Sequence, residues 1–183
     1  MQGPSKQMIA PALQALLTGG ALAGEWVLDP CTSSVRLKSR VFGLAPVNGV
    51  FREVSGNGAI APDGQVSGTV TVATASIDTK ITRRDRHLRS ADFFDSGNYP
   101  DITFTADSVR PSGQGVAVTG ALTVRDRTRP LSFDAATTGQ GDGEIWLDAE
   151  VRINRADFGL TWNLMGMVSL NNTLTIHAVF TRR

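Results

Sequence analysis

From Glu25 onward the chain alternates apolar and polar residues with a period of two, the pattern of strands that bury one face. Val35, Leu37, Ser39 and Val41 share one face of the first such stretch, and Arg36, Lys38 and Arg40 the other. Residues 47–60 read as a strand pair or one bent strand, with Gly49, Gly56 and Gly58 as sites for kinks or bulges. After the Pro62-Asp63-Gly64 turn, Val70, Val72 and Thr74 give a face to a strand over 66–77. Ile102, Phe104 and Ala106 open the next strand, which ends near Pro111-Ser112-Gly113. Val116, Val118, Gly120, Leu122 and Val124 alternate clearly, and Leu131, Phe133 and Ala135 return from a charged turn at 125–129. Beyond a glycine-rich turn at 139–143, Ile145, Leu147, Ala149, Val151 and Ile153 alternate with Trp146, Asp148, Glu150 and Arg152. Leu174, Ile176, Ala178 and Phe180 form the last strand.

About eight antiparallel strands, interrupted by one long excursion at 80–100, predict an all-β sandwich or closed barrel. The last strand runs almost to Arg183, which suits closure against the first. A barrel of about eight strands can hold one small ligand, and its inward set here is Val, Leu, Ile and Phe, so any cavity is apolar.

Composition narrows the function. A net charge of +1 over 183 residues gives no electrostatic reason to expect nucleic acid. The single cysteine, Cys31, excludes an internal disulfide and a Cys-rich zinc site, and reads as a half-buried small residue beginning a strand. Phosphate-cradling loops, dinucleotide fingerprints, nucleophile elbows and His-Glu-x-x-His motifs are absent from the sequence. No metal or cofactor is expected. At the N-terminus, residues 1–23 read as a short amphipathic helix (Ile9, Leu13, Leu16, Leu17) stopped at Gly19-Gly20, ahead of a barrel domain at 24–183. A signal-like reading competes, with Lys6, the apolar run 8–17 and Ala21-Leu22-Ala23, although Pro11 and Gln14 interrupt the run. The helix reading implies a cytoplasmic protein and the signal reading a secreted or periplasmic one.

Two stretches carry candidate chemistry. Residues 80–95 hold five Lys or Arg against three Asp, one of the two histidines, and the aromatic pair Phe93-Phe94. With Asp78-Thr79 as a cap, Lys80 to Asp95 predicts a helix or helical loop. Ile81, Leu88, Phe93 and Phe94 would face the barrel, and the arginines would face solvent or pair with Asp85 and Asp92. Three readings fit it: an acid–base or metal site on Asp85 and His87, a structural cap tied by Arg–Asp pairs, or a cap that also borders an apolar cavity. The first needs partners that the sequence does not supply, since the other histidine, His177, has outward parity; we take the third. The second stretch, Asn154 to Asn163, breaks the alternation with a polar turn and then presents Phe158, Leu160, Trp162, Leu164, Met165 and Met167. Met and aromatic residues together suit an adaptable apolar rim, or equally a dimer surface.

The runs Ala75-Ser76-Ile77-Asp78-Thr79, Arg84 to Asp95, Tyr99-Pro100-Asp101-Ile102-Thr103-Phe104 and Ile153 to Asn163 resemble the YceI-like family. So do Trp26-Val27-Leu28-Asp29-Pro30, Val118 to Val124 and Thr128-Arg129-Pro130-Leu131, in the same order along residues 24–182. The resemblance implies an eight-stranded antiparallel lipocalin-like β-barrel that binds a long-chain isoprenoid, of the polyprenyl quinone or polyprenyl alcohol class, without catalytic residues. Where many members carry a histidine near the first strand, this chain has Cys31-Thr32-Ser33, which weakens any metal or haem role there. The expected function is non-enzymatic binding, transport or storage of such a lipid, with transient contact of the basic 80–89 segment with a membrane surface. The alternatives are a lipid-modifying enzyme using Asp85, His87 or Arg84, and a filled-core interaction barrel. The expected ligand contacts from the strands are Val41, Phe42, Phe51, Ile102, Phe104 and Phe133. The cap adds Leu88, Phe93 and Phe94, and the rim adds Phe158, Leu160, Trp162, Leu164, Met165 and Met167.

Overall fold

The computed structural model describes residues 20–113, 115–141 and 143–183; of the N-terminal segment expected at 1–23, residues 1–19, which hold the expected helix, lie outside the described residues. Eleven strand segments make one sheet: β1 (Gly24–Leu28), β2 (Ser34–Val41), β3 (Ala45–Phe51), β4 (Val54–Ile60), β5 (Val66–Ala73), β6 (Ile77–Asp78), β7 (Asp101–Ser112), β8 (Gly115–Val124), β9 (Arg127–Gly141), β10 (Glu144–Asn154) and β11 (Asn171–Arg182). They occupy eight positions around a closed ring. β1 and β2 lie end to end along β11, β4 and β3 pair with them in the same order, and β5 and β6 pair with those. From β7 to β11 each strand pairs with its sequence neighbour, and the β1–β11 ladder shuts the ring. The result is the expected eight-stranded antiparallel barrel, with up-and-down connections.

The three broken positions are neighbours, so their breaks form a seam across the wall at 29–33, 52–53 and 74–76. The first is an aspartate turn: the Asp29 carboxylate accepts from the Cys31 N–H (2.9 Å) and the Thr32 hydroxyl (2.6 Å), and Pro30 has no N–H to lose. Opposite it, β11 is served by substitutes. The Val179 N–H donates to Ser33 Oγ (3.0 Å) and the Val179 carbonyl accepts from the Asp29 N–H (2.8 Å). At the third break, the buried Thr74 donates its hydroxyl to the Tyr99 and Pro100 carbonyls. The bend expected somewhere in 47–60 therefore falls at Arg52-Glu53, not at a glycine. Cys31 is exposed in the first of these turns, not half-buried at a strand start.

Helix α1 (Thr82–Arg89) is shorter than the helical stretch expected, and its N-cap is Ile81, without a side-chain capping bond. Asp85 does the reverse of capping: it reaches back to accept from the Thr79 N–H (2.9 Å) and hydroxyl (2.5 Å), while Arg84 donates to Thr79 Oγ1 and its carbonyl. No arginine pairs with Asp85 or Asp92 among the described residues; Arg83, Arg86 and Arg89 are exposed, and so is Ile81, which was expected to face inward.

The core divides by height. Near α1, Phe51, Val54, Val72, Ile77, Phe93, Phe94, Leu122 and Phe158 pack together; at the far end Leu22, Trp26, Ile60, Val116, Val118 and Ala135 do. Phe104, Leu147 and Phe180 touch both clusters. A bulge in β7 between Ala106 and Ser108 shifts the parity, so Val109 points inward with Ile102, Phe104 and Ala106. The Phe104 ring lies over Gly120: a Cβ there would sit 2.7 Å from the ring and 2.2 Å from the Thr105 carbonyl oxygen. Gly120→Ala is therefore expected to lower stability by about 1–3 kcal/mol, measured by denaturant unfolding, through displacement of the β7 backbone at Thr105 and of the Phe104 ring.

Candidate ligand-binding cavity

The ring encloses a cavity of about 280 Å³ that runs between the two core clusters. Its wall is the inward set that the alternation predicts: Leu131, Phe133 and Ala135 from β9, Ile145 to Ile153 at alternate positions of β10, and Leu174, Ile176, Ala178 and Phe180 from β11. The far end is stopped by Leu22 and Trp26. Trp26 Nε1 donates to the Leu22 carbonyl (3.0 Å), and Arg182 lies over the indole at 5.3 Å while donating to the Ala21 carbonyl (2.7 Å).

Eight of the expected contacts line this cavity: Phe51, Phe93, Phe94, Ile102, Phe104, Phe133, Phe158 and Leu160. Phe93 and Phe94 are wedged between Phe51, His87 and each other in edge-to-face contacts of 5.2–6.4 Å. The Arg125 guanidinium donates to the Phe93 carbonyl (3.2 Å) and covers the Tyr99 ring, tying the 90–99 segment to the β8–β9 turn. Leu88 packs against this cluster without reaching the cavity.

The remaining expected contacts lie elsewhere. Val41 is half-buried and bridges to Val168, and Phe42 is 66% exposed in the β2–β3 turn with φ of 55°, one residue past the end of β2 and at the parity of the outward Arg36, Lys38 and Arg40. Trp162 stacks edge-on to His87 at 4.3 Å, Met167 is half-buried, and Met165 is 88% exposed at φ of 53°. Leu164 sits in a short 3-10 turn and its side chain lies outside the described residues. The proposed acid–base set is not assembled, because Asp85 turns to Thr79 while His87 lies between Phe93 and Trp162. His177 is on the outer face, with Nδ1 2.7 Å from Asp148 Oδ1.

The segment Asn154 to Gly159 accounts for the rim. Asn154 Oδ1 accepts from the Ala156 N–H (3.0 Å) and starts a 3-10 turn, Arg155–Phe158, that ends at left-handed Gly159 (φ 74°). Arg155, only 2% exposed, then holds the loop that follows. Its Nε donates to the Ser169 carbonyl (3.0 Å), Nη1 to those of Leu160 and Trp162, and Nη2 to that of Val168 (3.2 Å). Its guanidinium lies 5.6 Å from the centre of the Phe93 ring, and burial pushes its pKa below the ordinary value. No carboxylate of the described residues pairs with it. This residue and two other buried polar groups that border the cavity, Asn172 and Thr137, were missed by sequence reasoning. The signal was present for the last two: Thr137 continues the inward parity of Ala135, and Asn172 precedes that of Leu174.

A closed up-and-down barrel around an apolar interior, capped at one end by a helix, defines a lipocalin-like β-barrel protein. Residues 26–180 match the YceI-like domain, and the chain belongs to the YceI-like family. It is similar to the YceI protein of Escherichia coli, with 33% identity over 156 residues that cover 80% of this chain and 81% of that one. Two solved structures share the fold: Burkholderia cenocepacia BcnA (TM-score 0.75, 22% identity, 83% of this chain and 98% of that one) and a polyisoprenoid binding domain from Saccharophagus degradans (TM-score 0.70, 16% identity, 86% and 98%).

Removing the Arg155 donors leaves the carbonyls of Leu160, Trp162 and Ser169 to find new partners, while that of Val168 keeps the Asn163 amide. Arg155→Met is expected to lower stability by about 2–4 kcal/mol and to speed amide hydrogen exchange selectively in residues 159–170.

Proposed function

We propose that this protein is a non-enzymatic carrier or store for a long-chain isoprenoid held in the barrel interior. The observation that carries the reading is the cavity itself: it runs most of the length of a closed barrel, and its wall is almost wholly aliphatic and aromatic. Burial of a tail there gains roughly 25 cal/mol for each Å² of apolar surface removed from water. The volume is near the lower end of the usual range for ligand pockets, roughly 300–1,000 Å³, which favours a slender, flexible chain over a bulky ring system. The polyisoprenoid binding domain of Saccharophagus degradans, which shares the fold, supports an isoprenoid over a fatty acid.

Delivery of such a lipid needs contact with a bilayer, and the helix-capped end suits an anionic one. Phe42, Leu44 and Met165 stand at this end with most of their surface exposed, and the exposed Arg40, Arg83 and Arg86 are at the same end. No described residue pairs with Arg83 or Arg86. Apolar tips set among cations fit the headgroup region of a negatively charged leaflet.

Native purification followed by organic extraction and mass spectrometry is expected to yield a long-chain isoprenoid near one equivalent per chain. A delipidated protein that neither carries lipid nor binds a prenyl probe saturably would refute the reading. Incubation of the ligand with protein is expected to leave its mass unchanged, and His87→Ala to keep binding it; a product that disappears in His87→Ala would establish the enzymatic alternative instead. In flotation assays the protein is expected to associate with phosphatidylglycerol vesicles more than with phosphatidylcholine ones, less at high salt, and several-fold less after Met165→Glu or the paired change Arg83→Glu and Arg86→Glu. Equal flotation in all of these, or a dimer that Met165→Glu dissociates, would exclude the membrane contact.

A further inference from the structure

The cavity is apolar except at a few points, and one of them is an amide whose oxygen has no partner among the described residues. Asn172, 7% exposed, stands at the α1 end of β11, in register with Ile153, and borders the cavity. Its Oδ1 is buried and has no hydrogen-bond partner among the described residues. Arg155 borders the same end, two residues beyond Ile153 on the adjoining strand. A guanidinium carries five donors; four of Arg155's meet carbonyls, which leaves one on Nη2 and a charge with no counter-ion among the described residues. The other orphan in the wall, Thr137 Oγ1, lies toward the opposite end, where Thr137 pairs with Leu147 and Leu147 with Ala178. Thr137 has no arginine beside it in that part of the wall, whereas Asn172 shares its end of the cavity with Arg155. A buried polar group without a partner is destabilising until one arrives.

We propose that Asn172 and Arg155 form a subsite for the hydroxyl of a hydroxyl-terminated isoprenoid (a prenol, phenol or quinol), which fixes the ligand's direction in the barrel. The inference rests on the lipid-cavity reading above. A hydroxyl donates to Asn172 Oδ1 and accepts from the Arg155 Nη2 hydrogen at once. A quinone carbonyl or an ether only accepts, and so leaves Oδ1 unmet. A phosphate would offset the charge, but it needs several donors, and one is free. With the oxygen at this end, the tail runs toward Phe180; eight residues of β11 provide roughly 26 Å of wall for it.

The experiment compares geranylgeraniol with its methyl ether and with the hydrocarbon lacking the oxygen, each displacing a fluorescent prenyl probe from delipidated full-length protein. Wild type is expected to prefer the alcohol to both analogues by about tenfold. Asn172→Leu, close in volume and apolar, is expected to lose that preference while binding the hydrocarbon as well as wild type does or better; Asn172→Ser is expected to keep part of it. Equal affinity of wild type for all three probes, or a preference that survives in Asn172→Leu, would overturn the subsite and leave the lipid reading standing. Failure of wild type to bind any of the three would overturn both.

Discussion

Ring closure is the constraint on which the rest of this molecule depends. β11 is hydrogen-bonded to β10 along one edge and to β2 and then β1 along the other, so one strand joins the two ends of the meander. Were it absent, the sheet would present two unpaired edges and its apolar face would lack an opposite wall. The break between β1 and β2 falls on this same edge, and the Ser33 hydroxyl and Asp29 N–H stand in for the missing ladder at Val179. The turn chemistry of Asp29-Pro30 is thereby compatible with closure. Inward parity, bulge position and cavity shape follow from that closed register.

The two ends of the barrel are built on different principles. The far end is closed by apolar packing of Leu22 on Trp26, reinforced by Arg182. The helix-capped end is closed by polar fastening of apolar parts: Arg155 gathers a loop, Arg125 anchors the segment behind Phe93, and Asp85 and Arg84 tie α1 to Thr79. The buried polar groups of the capped end are therefore structural first, and only those with spare hydrogen-bonding capacity remain for recognition.

The wall of the barrel was legible in the sequence because alternation is a local property. Leu131 to Ala135, Ile145 to Ile153 and Leu174 to Phe180 read inward and lie inward. What failed was decided by distant parts of the chain. The bend at Arg52-Glu53 is set by pairing with residues 73–76, through Ala73 N–H to the Glu53 carbonyl and Arg52 N–H to the Ser76 carbonyl, so the glycines nearby were a misleading cue. Phe42 and Met165 look like core by composition, but both sit at positive φ in tight turns, a backbone state that alternation does not encode. Thr137 and Asn172 were passed over for the opposite reason: parity placed them inward, and their polarity hid it. Arg155 read as part of a family motif, and its role became visible only with the loop carbonyls around it.

The Arg155 fastening also sets the conditions under which the rim stays in place. Its partners are backbone carbonyls, which do not titrate, and a guanidinium stays charged throughout the range in which proteins work. A carboxylate in their place would have made the loop sensitive to acid, and an exposed ion pair would have made it sensitive to salt. The rim is thus held by a contact indifferent to acidity and ionic strength, and its grip is the same in any compartment the protein occupies.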